Sequence, residues 1–238
     1  MKDNWISDVC WLNTAFLKGN IRGAVVYFHG QGGGIHPDSA SSPVEIALGE
    51  AGFLLVYPYY GPWAWMNRQA RVFTDELIDR IYREFELDDS LPLISMGQSM
   101  GGCASLLYCI SGKRRPVGCC AIFPVCDTVH RFSQRNPATA AAMRHAFAGY
   151  PEPFESVLIE HSPLHQAEKM PRIPYLFIHG EADKDVDPIA NSQCMTDKLR
   201  SLGHDVEYIS VPQMGHGTCV PLRILNRQVD FVEKFAKK

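Results

Sequence analysis

The most informative absences concern membranes, nucleic acids and secretion. The sequence contains no run of about eighteen consecutive apolar residues, the length that one membrane-spanning helix needs. It has no polybasic run and a formal net charge of only −3, so its charge pattern does not indicate nucleic acid or an anionic membrane surface as a partner. Residues 1–8 carry two aspartates and an asparagine where a secretion signal needs an apolar centre. We therefore expect a cytoplasmic protein without a membrane span.

Motifs for metal binding and for thiol redox chemistry are also missing. No C-x-x-C pair occurs among the eight cysteines, and there is no H-E-x-x-H sequence. Most of the cysteines stand in apolar surroundings, where free thiols behave as small hydrophobic side chains. His161 and His165 lie four residues apart without a third ligand of matching spacing, so we interpret them as surface or lid histidines. The sequence predicts no disulfide framework, no metal and no cofactor.

The sequence does contain a regular alternation of short apolar runs and longer amphipathic segments. The apolar runs predict strands at residues 24–28, 53–57, 91–96, 117–123, 174–178 and 206–211. The segments between them predict helices at residues 43–51, 69–85, 100–110, 188–202 and 221–235. Strand followed by helix, repeated, is typical of parallel strands joined by right-handed crossovers. We therefore expect one α/β domain over residues 1–238, with a mostly parallel central sheet and helices on both faces.

One interval interrupts this alternation. Residues 124–171 contain no strong strand pattern, only an Ala-rich helical stretch at 138–148 and scattered Pro, His and Phe. A connection of roughly forty-five residues is long for a loop inside a compact domain. We therefore expect a small helical insertion here, with a lid over the site as its candidate role.

The central chemical motif is G-x-S-x-G at residues 97–101, between a predicted strand and a predicted helix. A serine that attacks a carbonyl must project beyond the sheet edge, and a sharp strand-to-helix turn achieves this. Such a turn strains the backbone at Ser99 and crowds the positions of Gly97 and Gly101, where any larger side chain would clash. The following helix also directs its N-terminal N–H groups at the place where negative charge develops. Ser99 is therefore the candidate nucleophile.

A glycine-rich loop, H-G-Q-G-G-G, follows the first predicted strand at residues 29–34. A dinucleotide fingerprint would need a third glycine at position 35, where the sequence has Ile35, and no G-K-[ST] sequence is present. The loop is therefore not a phosphate-binding motif. Glycines let the backbone turn its N–H groups inward, as a loop that donates hydrogen bonds to an oxyanion requires.

Together these two motifs resemble the α/β-hydrolase superfamily, and the resemblance covers essentially the whole chain. The loop at residues 29–34 is similar to the superfamily's H-G-x-G loop, which supplies one N–H group of the oxyanion hole. The resemblance implies that the backbone N–H groups of Gln31 and Met100 form this hole, with Gly32 as the alternative to Gln31. His29 is interpreted as a structural residue of its own loop.

The same resemblance implies the other two members of a catalytic triad. The sequence H-G-E-A-D-K-D-V at residues 179–186 is similar to the H-G-x-x-D-x-x-V segment that supplies the acid, here Asp183. The sequence G-H-G at residues 215–217 is similar to the loop that carries the base, here His216. The chain order of serine, acid and histidine is the one this fold requires. Three other acids stay open as alternatives: Asp185 and Asp187 in the same loop, and Asp127 after an earlier strand.

The resemblance implies a serine hydrolase that acts on a small-molecule ester through an acyl-enzyme and needs no cofactor. Residues 162–164 and 173–180 are most similar to the prolyl-oligopeptidase and dienelactone-hydrolase branches of the superfamily. We expect a carboxylesterase. A serine peptidase of the aminopeptidase or oligopeptidase type and a thioesterase remain the enzymatic alternatives, and a binding protein that retains the fold is the alternative outside catalysis.

Aromatic residues follow the second predicted strand, at the sheet edge where ligands bind in open α/β folds. Tyr60, Trp63 and Trp65 are the candidate substrate-binding residues, suited to an acyl chain, an aryl group or the face of a sugar. The alternative interpretation is that these rings pack the loop onto the body of the protein.

Overall fold

The computed structural model describes residues 5–34, 36, 41–217 and 220–236. The strands of this part of the chain are β1 (Cys10–Leu12), β2 (Gly23–Phe28), β3 (Phe53–Pro58), β4 (Leu93–Gln98), β5 (Gly118–Ile122), β6 (Tyr175–Gly180) and β7 (Val206–Val211). Its helices are α1 (Trp5–Val9), α2 (Pro43–Glu50), α3 (Arg68–Glu84), α4 (Met100–Ser111), α5 (Thr128–Ser133), α6 (Pro137–Ala146), α7 (Phe154–Glu160), α8 (Cys194–Ser201) and α9 (Leu222–Glu233). Short 3-10 turns cover Thr14–Phe16 and Ala167–Lys169, and a π-helical turn at Ile189–Gln193 leads into α8.

The strands form one sheet in the order β1-β3-β2-β4-β5-β6-β7. Every neighbouring pair is parallel except β1 with β3, which is antiparallel. Consecutive side chains of a strand point to opposite faces, so the two faces collect separate apolar clusters. Val26 and Val56 lie in one cluster, whereas Val25 and Leu55 lie in the other. This arrangement confirms the predicted mostly parallel sheet.

Helices cover both faces of the sheet, as the sequence predicts. The cluster that contains Val25 also receives buried side chains of α2 and α9. On the opposite face, α3 and α4 pack against the strands that carry Val26, and α8 packs farther along against β5 and β6. None of the described helices combines the length and the apolarity needed to cross a membrane.

Local sequence signals explain where several helices begin. The Ser42 hydroxyl accepts a hydrogen bond from the backbone N–H of Glu45, whose carboxylate accepts one from the Ser42 N–H, and Pro43 stands at the first helical position of α2. Asn67 caps α3 in the same way by accepting from the Ala70 N–H at 2.9 Å. These caps set the helix starts within one residue of the sequence-based bounds.

The insertion contains helices and no strand. Residues 124–171 include α5, α6 and α7, and side chains such as Met143 and Val157 lie in the same apolar cluster as Leu77 of α3. His161 is fully buried here, with its ring 4.5 Å from that of Phe147, so the interpretation of His161 as a surface histidine is wrong. Burial also lowers the pKa of His161, which favours its neutral form.

The first helix and the antiparallel edge strand are not predicted by the sequence, because elements of five and three residues are too short to show a periodicity. The buried Asn13 that follows β1 fixes this edge. Its amide donates to the carbonyl oxygens of Glu45 at 3.1 Å and Phe53 at 3.2 Å, and its Oδ1 accepts from the Leu55 N–H at 2.8 Å. One side chain thus joins the N-terminal segment to α2 and β3.

Removing the side-chain amide of Asn13 should destabilise the fold. We expect Asn13→Ala to lower the free energy of unfolding by about 3 kcal/mol, because three buried backbone groups lose their partner. Urea denaturation followed by circular dichroism measures the change. Asn20→Ala, at an exposed loop position, is the matched control and should change stability by less than about 0.5 kcal/mol. Equal stabilities for the two variants would contradict this role of Asn13.

Candidate active site

The loops after the parallel strands meet at one edge of the sheet. In a parallel sheet all carboxyl ends point the same way, and ligands bind beyond them. The loop of residues 29–34 follows β2, Ser99 follows β4, the loop of residues 181–187 follows β6, and His216 follows β7. The fold therefore brings together segments that are far apart in the sequence.

Ser99 sits on a strained turn between β4 and α4. Its φ of 57° and ψ of −120° fall in a region of backbone conformation that residues other than glycine rarely adopt. A Cβ atom at Gly97 would lie 2.2 Å from the Gly101 carbonyl oxygen, and one at Gly101 would lie 2.0 Å from the Phe28 carbonyl oxygen. Only glycine fits at these two positions, which is the physical reason for the G-x-S-x-G spacing.

Three side chains from separate loops form a hydrogen-bonded row. The Ser99 Oγ lies 2.9 Å from His216 Nε2, and His216 Nδ1 lies 2.7 Å from Asp183 Oδ2. The Asp183 carboxylate only accepts hydrogen bonds, so Nδ1 carries the imidazole proton and Nε2 offers its lone pair to the Ser99 hydroxyl. Two consecutive hydrogen bonds thus link a carboxylate, an imidazole and a serine hydroxyl, which is the arrangement that nucleophilic catalysis by serine requires.

The carboxylate of Asp183 is buried and has four hydrogen-bond donors. Its Oδ1 accepts from the backbone N–H groups of Asp185 and Val186, each at 2.9 Å, and its Oδ2 accepts from His216 and from His179 Nε2 at 3.1 Å. Burial alone raises the pKa of a carboxyl group, but the donors from His179, His216 and Val186 outweigh it and hold the pKa of Asp183 well below its usual range. Asp183 is therefore ionised at neutral pH.

The three alternative acids do not reach Nδ1 of the imidazole. Asp127 and Asp187 each accept a hydrogen bond from a backbone N–H two or three residues farther on, in the manner of helix-capping residues. Asp185 lies on the other side of the ring, with its Oδ2 at 3.7 Å from His216 Nε2. Among the acids that the sequence leaves open, Asp183 alone has the geometry of the orienting residue.

Two backbone N–H groups near Ser99 are available to a ligand. Within the described part of the chain, neither the Gln31 N–H nor the Met100 N–H has an acceptor. The Gly32 N–H, the alternative to Gln31, donates to the Pro62 carbonyl oxygen at 2.7 Å and is therefore engaged. The loop approaches the serine closely, since a Cβ atom at Gly30 would lie 3.5 Å from the Ser99 Cβ.

Ser99 and His216 line a pocket of about 370 Å³. The lining residues include Gln31, Trp65, Gln98, Ser99, Met100, Phe123, Arg131, Asn136, Thr139, Asp185 and His216. Arg131, Asn136 and Thr139 come from the insertion, so one wall of the pocket is made by residues that no motif in the sequence singles out. Within the described residues, no group of three or more His, Cys, Asp and Glu side chains is arranged to hold a metal ion.

The three candidate aromatic residues occupy different places. Trp65 is almost fully buried and lines the pocket of Ser99. Trp63 is 47% exposed and lines a second pocket of about 590 Å³, whose lining includes neither Ser99 nor His216. Tyr60 also borders that second pocket, but its hydroxyl donates to the His29 carbonyl oxygen at 2.8 Å, which ties its loop to the loop of residues 29–34.

Comparison with known proteins assigns the family. The sequence model of the prolyl oligopeptidase family matches residues 78–238, which is more than half of the chain and includes Ser99, Asp183 and His216. The chain belongs to the prolyl oligopeptidase family. It is therefore a serine hydrolase of the α/β-hydrolase superfamily, as the sequence motifs predict at that level. No curated protein matches the chain by sequence.

Solved structures with the same fold include enzymes of several kinds. A truncated carbohydrate esterase from gut microbiota is 18% identical at a TM-score of 0.73, with 93% of this chain and 88% of that chain covered. An acylaminoacyl peptidase of Pyrococcus horikoshii is 14% identical at a TM-score of 0.75, with 93% of this chain but only 38% of that chain covered. A lipase in an open form is 17% identical at a TM-score of 0.66, with 96% and 94% covered. The α/β-hydrolase fold is thereby confirmed.

His179 is a further member of the hydrogen-bonded row, beyond the three residues that the sequence singles out. The Ser192 Oγ lies 2.6 Å from His179 Nδ1, and His179 Nε2 lies within 3.1 Å of both the Asp183 carboxylate and the Val186 carbonyl oxygen. Both partners of Nε2 are acceptors, so Nε2 carries a proton and the Ser192 hydroxyl donates to Nδ1. No sequence motif indicates the hydrogen bond from Ser192 to His179, because the two residues are thirteen positions apart.

The hydrogen bond from His179 should affect how well Asp183 orients the imidazole. We expect His179→Leu to slow labelling of Ser99 by a fluorophosphonate roughly tenfold, because a carboxylate loses a charge-assisted hydrogen bond. His179→Gln, which keeps an N–H donor at a similar distance, should restore most of the rate. Labelling kinetics at pH 7 measure the effect, and thermal denaturation shows whether each variant is folded. Wild-type labelling in a folded His179→Leu protein would contradict this role.

Proposed function

We propose that the protein is a carboxylesterase in which Ser99 is the nucleophile, His216 the general base and Asp183 the residue that orients His216. The observation that carries this proposal is the row of two hydrogen bonds, 2.9 Å from Ser99 Oγ to His216 Nε2 and 2.7 Å from His216 Nδ1 to Asp183 Oδ2. Family membership supplies the coarser class of serine hydrolase. The roles of the individual residues and the preference for esters are the proposed part.

The steps of ester hydrolysis follow from the protons on the Ser99 hydroxyl and on His216 Nδ1. As the Ser99 Oγ attacks the ester carbonyl carbon, His216 Nε2 takes the hydroxyl proton, and the ionised Asp183 stabilises the resulting imidazolium. The tetrahedral intermediate collapses when Nε2 gives that proton to the leaving alcohol oxygen and leaves an acyl group on Ser99. Water then attacks the acyl carbonyl carbon while His216 Nε2 takes a proton from it. The bond between the acyl carbon and Ser99 Oγ breaks as Nε2 returns this proton to Oγ, and the carboxylic acid departs.

The two available N–H groups suit the negative charge of the intermediate. The oxyanion would accept hydrogen bonds from the backbone of Gln31 and of Met100, the second of which begins α4 and benefits from the positive end of the helix dipole. Loss of one such donor typically costs about 3–4 kcal/mol of transition-state stabilisation. The expectation that Gln31 rather than Gly32 serves is supported by the engagement of the Gly32 N–H with Pro62.

Two of the reported solved structures are described as enzymes that act on esters, and they support the preference for esters in this proposal. The two reported structures whose own length this chain nearly spans are described as a carbohydrate esterase and a lipase, at 88% and 94% coverage. The chain spans only about two fifths of the acylaminoacyl peptidase and about a third of a puromycin-hydrolysing peptidase of Mycobacterium tuberculosis. The family assignment itself favours a peptidase as the second candidate.

We also propose that the insertion at residues 124–171 acts as a wall and lid of the substrate site. Arg131, Asn136 and Thr139 of this segment line the pocket of Ser99, and Trp65 closes the pocket from the loop after β3. Trp65 is thus the best supported of the three aromatic residues as a substrate contact. Trp63 and Tyr60 border the neighbouring pocket, where an extended substrate would have to reach.

The role of Ser99 has a direct test. We expect Ser99→Ala to abolish hydrolysis of 4-nitrophenyl acetate while the protein stays folded, because no other hydroxyl or thiol among the described residues hydrogen-bonds to His216 Nε2. Fluorophosphonate labelling should disappear in Ser99→Ala and fall steeply in His216→Ala. Esterase activity retained by folded Ser99→Ala would refute the assignment, and no labelling of the wild type would favour a binding protein.

The acyl preference follows from the size and polarity of the pocket. A volume of about 370 Å³ is at the small end for ligand sites, and much of its lining is polar. We expect kcat/KM for 4-nitrophenyl esters to be highest for acetyl and butyryl groups and to fall at least tenfold toward lauroyl. An aminoacyl 4-nitroanilide, measured beside them, tests the peptidase alternative, which gains if the anilide is cleaved faster than every ester.

A further inference from the structure

Asp185 places a carboxylate oxygen in the pocket next to the imidazole nitrogen that transfers the proton. Its Oδ1 accepts a hydrogen bond from Arg131 Nη2 at 2.9 Å, whereas its Oδ2 lies 3.7 Å from His216 Nε2. The side chain is 48% exposed and lines the pocket of Ser99. The backbone N–H of Asp185 also donates to Asp183, which fixes the position of this residue relative to the triad.

The Oδ2 atom faces a nitrogen that cannot donate to it in the resting state. His216 carries its proton on Nδ1, and its Nε2 accepts from Ser99, so Nε2 and Asp185 Oδ2 are two acceptors side by side. Within the described residues, Arg131 donates to Oδ1 of Asp185 and no group donates to Oδ2. Since no described side chain fills this role, a hydroxyl of the substrate can donate to Oδ2.

The geometry indicates which part of a substrate would supply that donor. The leaving oxygen of an ester must come within hydrogen-bond reach of His216 Nε2, because this atom returns the proton to it. Asp185 Oδ2 is the neighbouring acceptor, so a hydroxyl one carbon beyond the carbon that bears the leaving oxygen would reach it. We propose that Asp185 Oδ2 binds a vicinal hydroxyl of the leaving alcohol, and hence that the natural substrates are monoesters of polyols.

The charge of this subsite favours a neutral donor over a cation. The Arg131 guanidinium contacts both the side chain and the backbone carbonyl of Asp185, and it also contacts Thr139 at 3.4 Å. Pairing with Arg131 offsets the charge of the carboxylate, so an ammonium ion gains little there, while a hydroxyl still finds a strong acceptor. The remaining insertion side chains of this wall, Asn136 and Thr139, are also polar.

This inference rests on the proposed ester hydrolysis at Ser99, and a matched substrate pair separates the two. The probes are 2-hydroxyethyl acetate and 2-methoxyethyl acetate, which share the acyl group and differ in one hydrogen-bond donor beside the leaving oxygen. For the wild type we expect kcat/KM for the hydroxy ester to exceed that for the methoxy ester about tenfold. Hydrolysis of neither ester would refute the proposed function itself, whereas hydrolysis of both at equal kcat/KM would overturn only the subsite.

The variant Asp185→Asn tests the residue. Its amide oxygen can still accept from Arg131, and its NH₂ group donates equally well to a hydroxyl or an ether oxygen, so the ratio of the two kcat/KM values should fall to about one. Asp187→Asn is the matched control, because Asp187 is exposed, lies outside the pocket and caps a helical turn, where asparagine serves equally well. Its ratio should equal that of the wild type. An unchanged ratio in Asp185→Asn would overturn the proposal.

Two sources of a vicinal hydroxyl can be told apart with the wild type. Glyceryl 1-monoacetate and a monoacetate of a methyl pyranoside present the same group on a flexible chain and on a sugar ring. A higher kcat/KM for either one than for 2-methoxyethyl acetate supports the subsite and identifies the source. Failure of both to exceed that reference would contradict the proposal.

Discussion

The hydrogen bond between Asp183 Oδ2 and His216 Nδ1 determines what the rest of the site can do. It keeps the imidazole proton on Nδ1, and only then does Nε2 present a lone pair to the Ser99 hydroxyl at 2.9 Å. The carboxylate can serve in this way because it is ionised although buried. Four donors, two of them backbone N–H groups of its own loop, offset the cost of removing the charge from water.

The contacts among Ser99, His216 and Asp183 depend on the order and direction of the strands in the sheet. Residues 99, 183 and 216 meet because β4, β6 and β7 are parallel and end at the same edge. The tight turn at Ser99 adds a second constraint, since the chain can bend there only if Gly97 and Gly101 lack side chains. The strained backbone at Ser99 is held by the strand before it and the helix after it.

Much of this site could be predicted from the sequence because its motifs are local. A buried strand, a position where a Cβ atom would clash or a capped helix leaves a pattern within ten residues, and Ser99 stands in such a pattern. Asp183 and His216 are implied by the resemblance of their loops to the superfamily. The contacts of Asn13 with Glu45 and Phe53, and of Arg131 with Asp185, join residues more than thirty positions apart and leave no local pattern. The antiparallel edge strand β1 also leaves no pattern in the sequence, since three residues cannot show an alternation.

The pocket wall formed by the insertion also depends on contacts between distant residues, which the sequence does not reveal. The absence of a strand in residues 124–171 predicts helices there, but nothing in the composition indicates that Arg131 faces the acid loop.

The most direct test of the hydrogen bond between Asp183 and His216 is nitrogen-15 NMR of the His216 ring in the resting enzyme at neutral pH. The geometry predicts that the imidazole carries its proton on Nδ1, which gives a low-field Nδ1 proton that disappears in Asp183→Asn. A ring protonated on Nε2 in the wild type would contradict it.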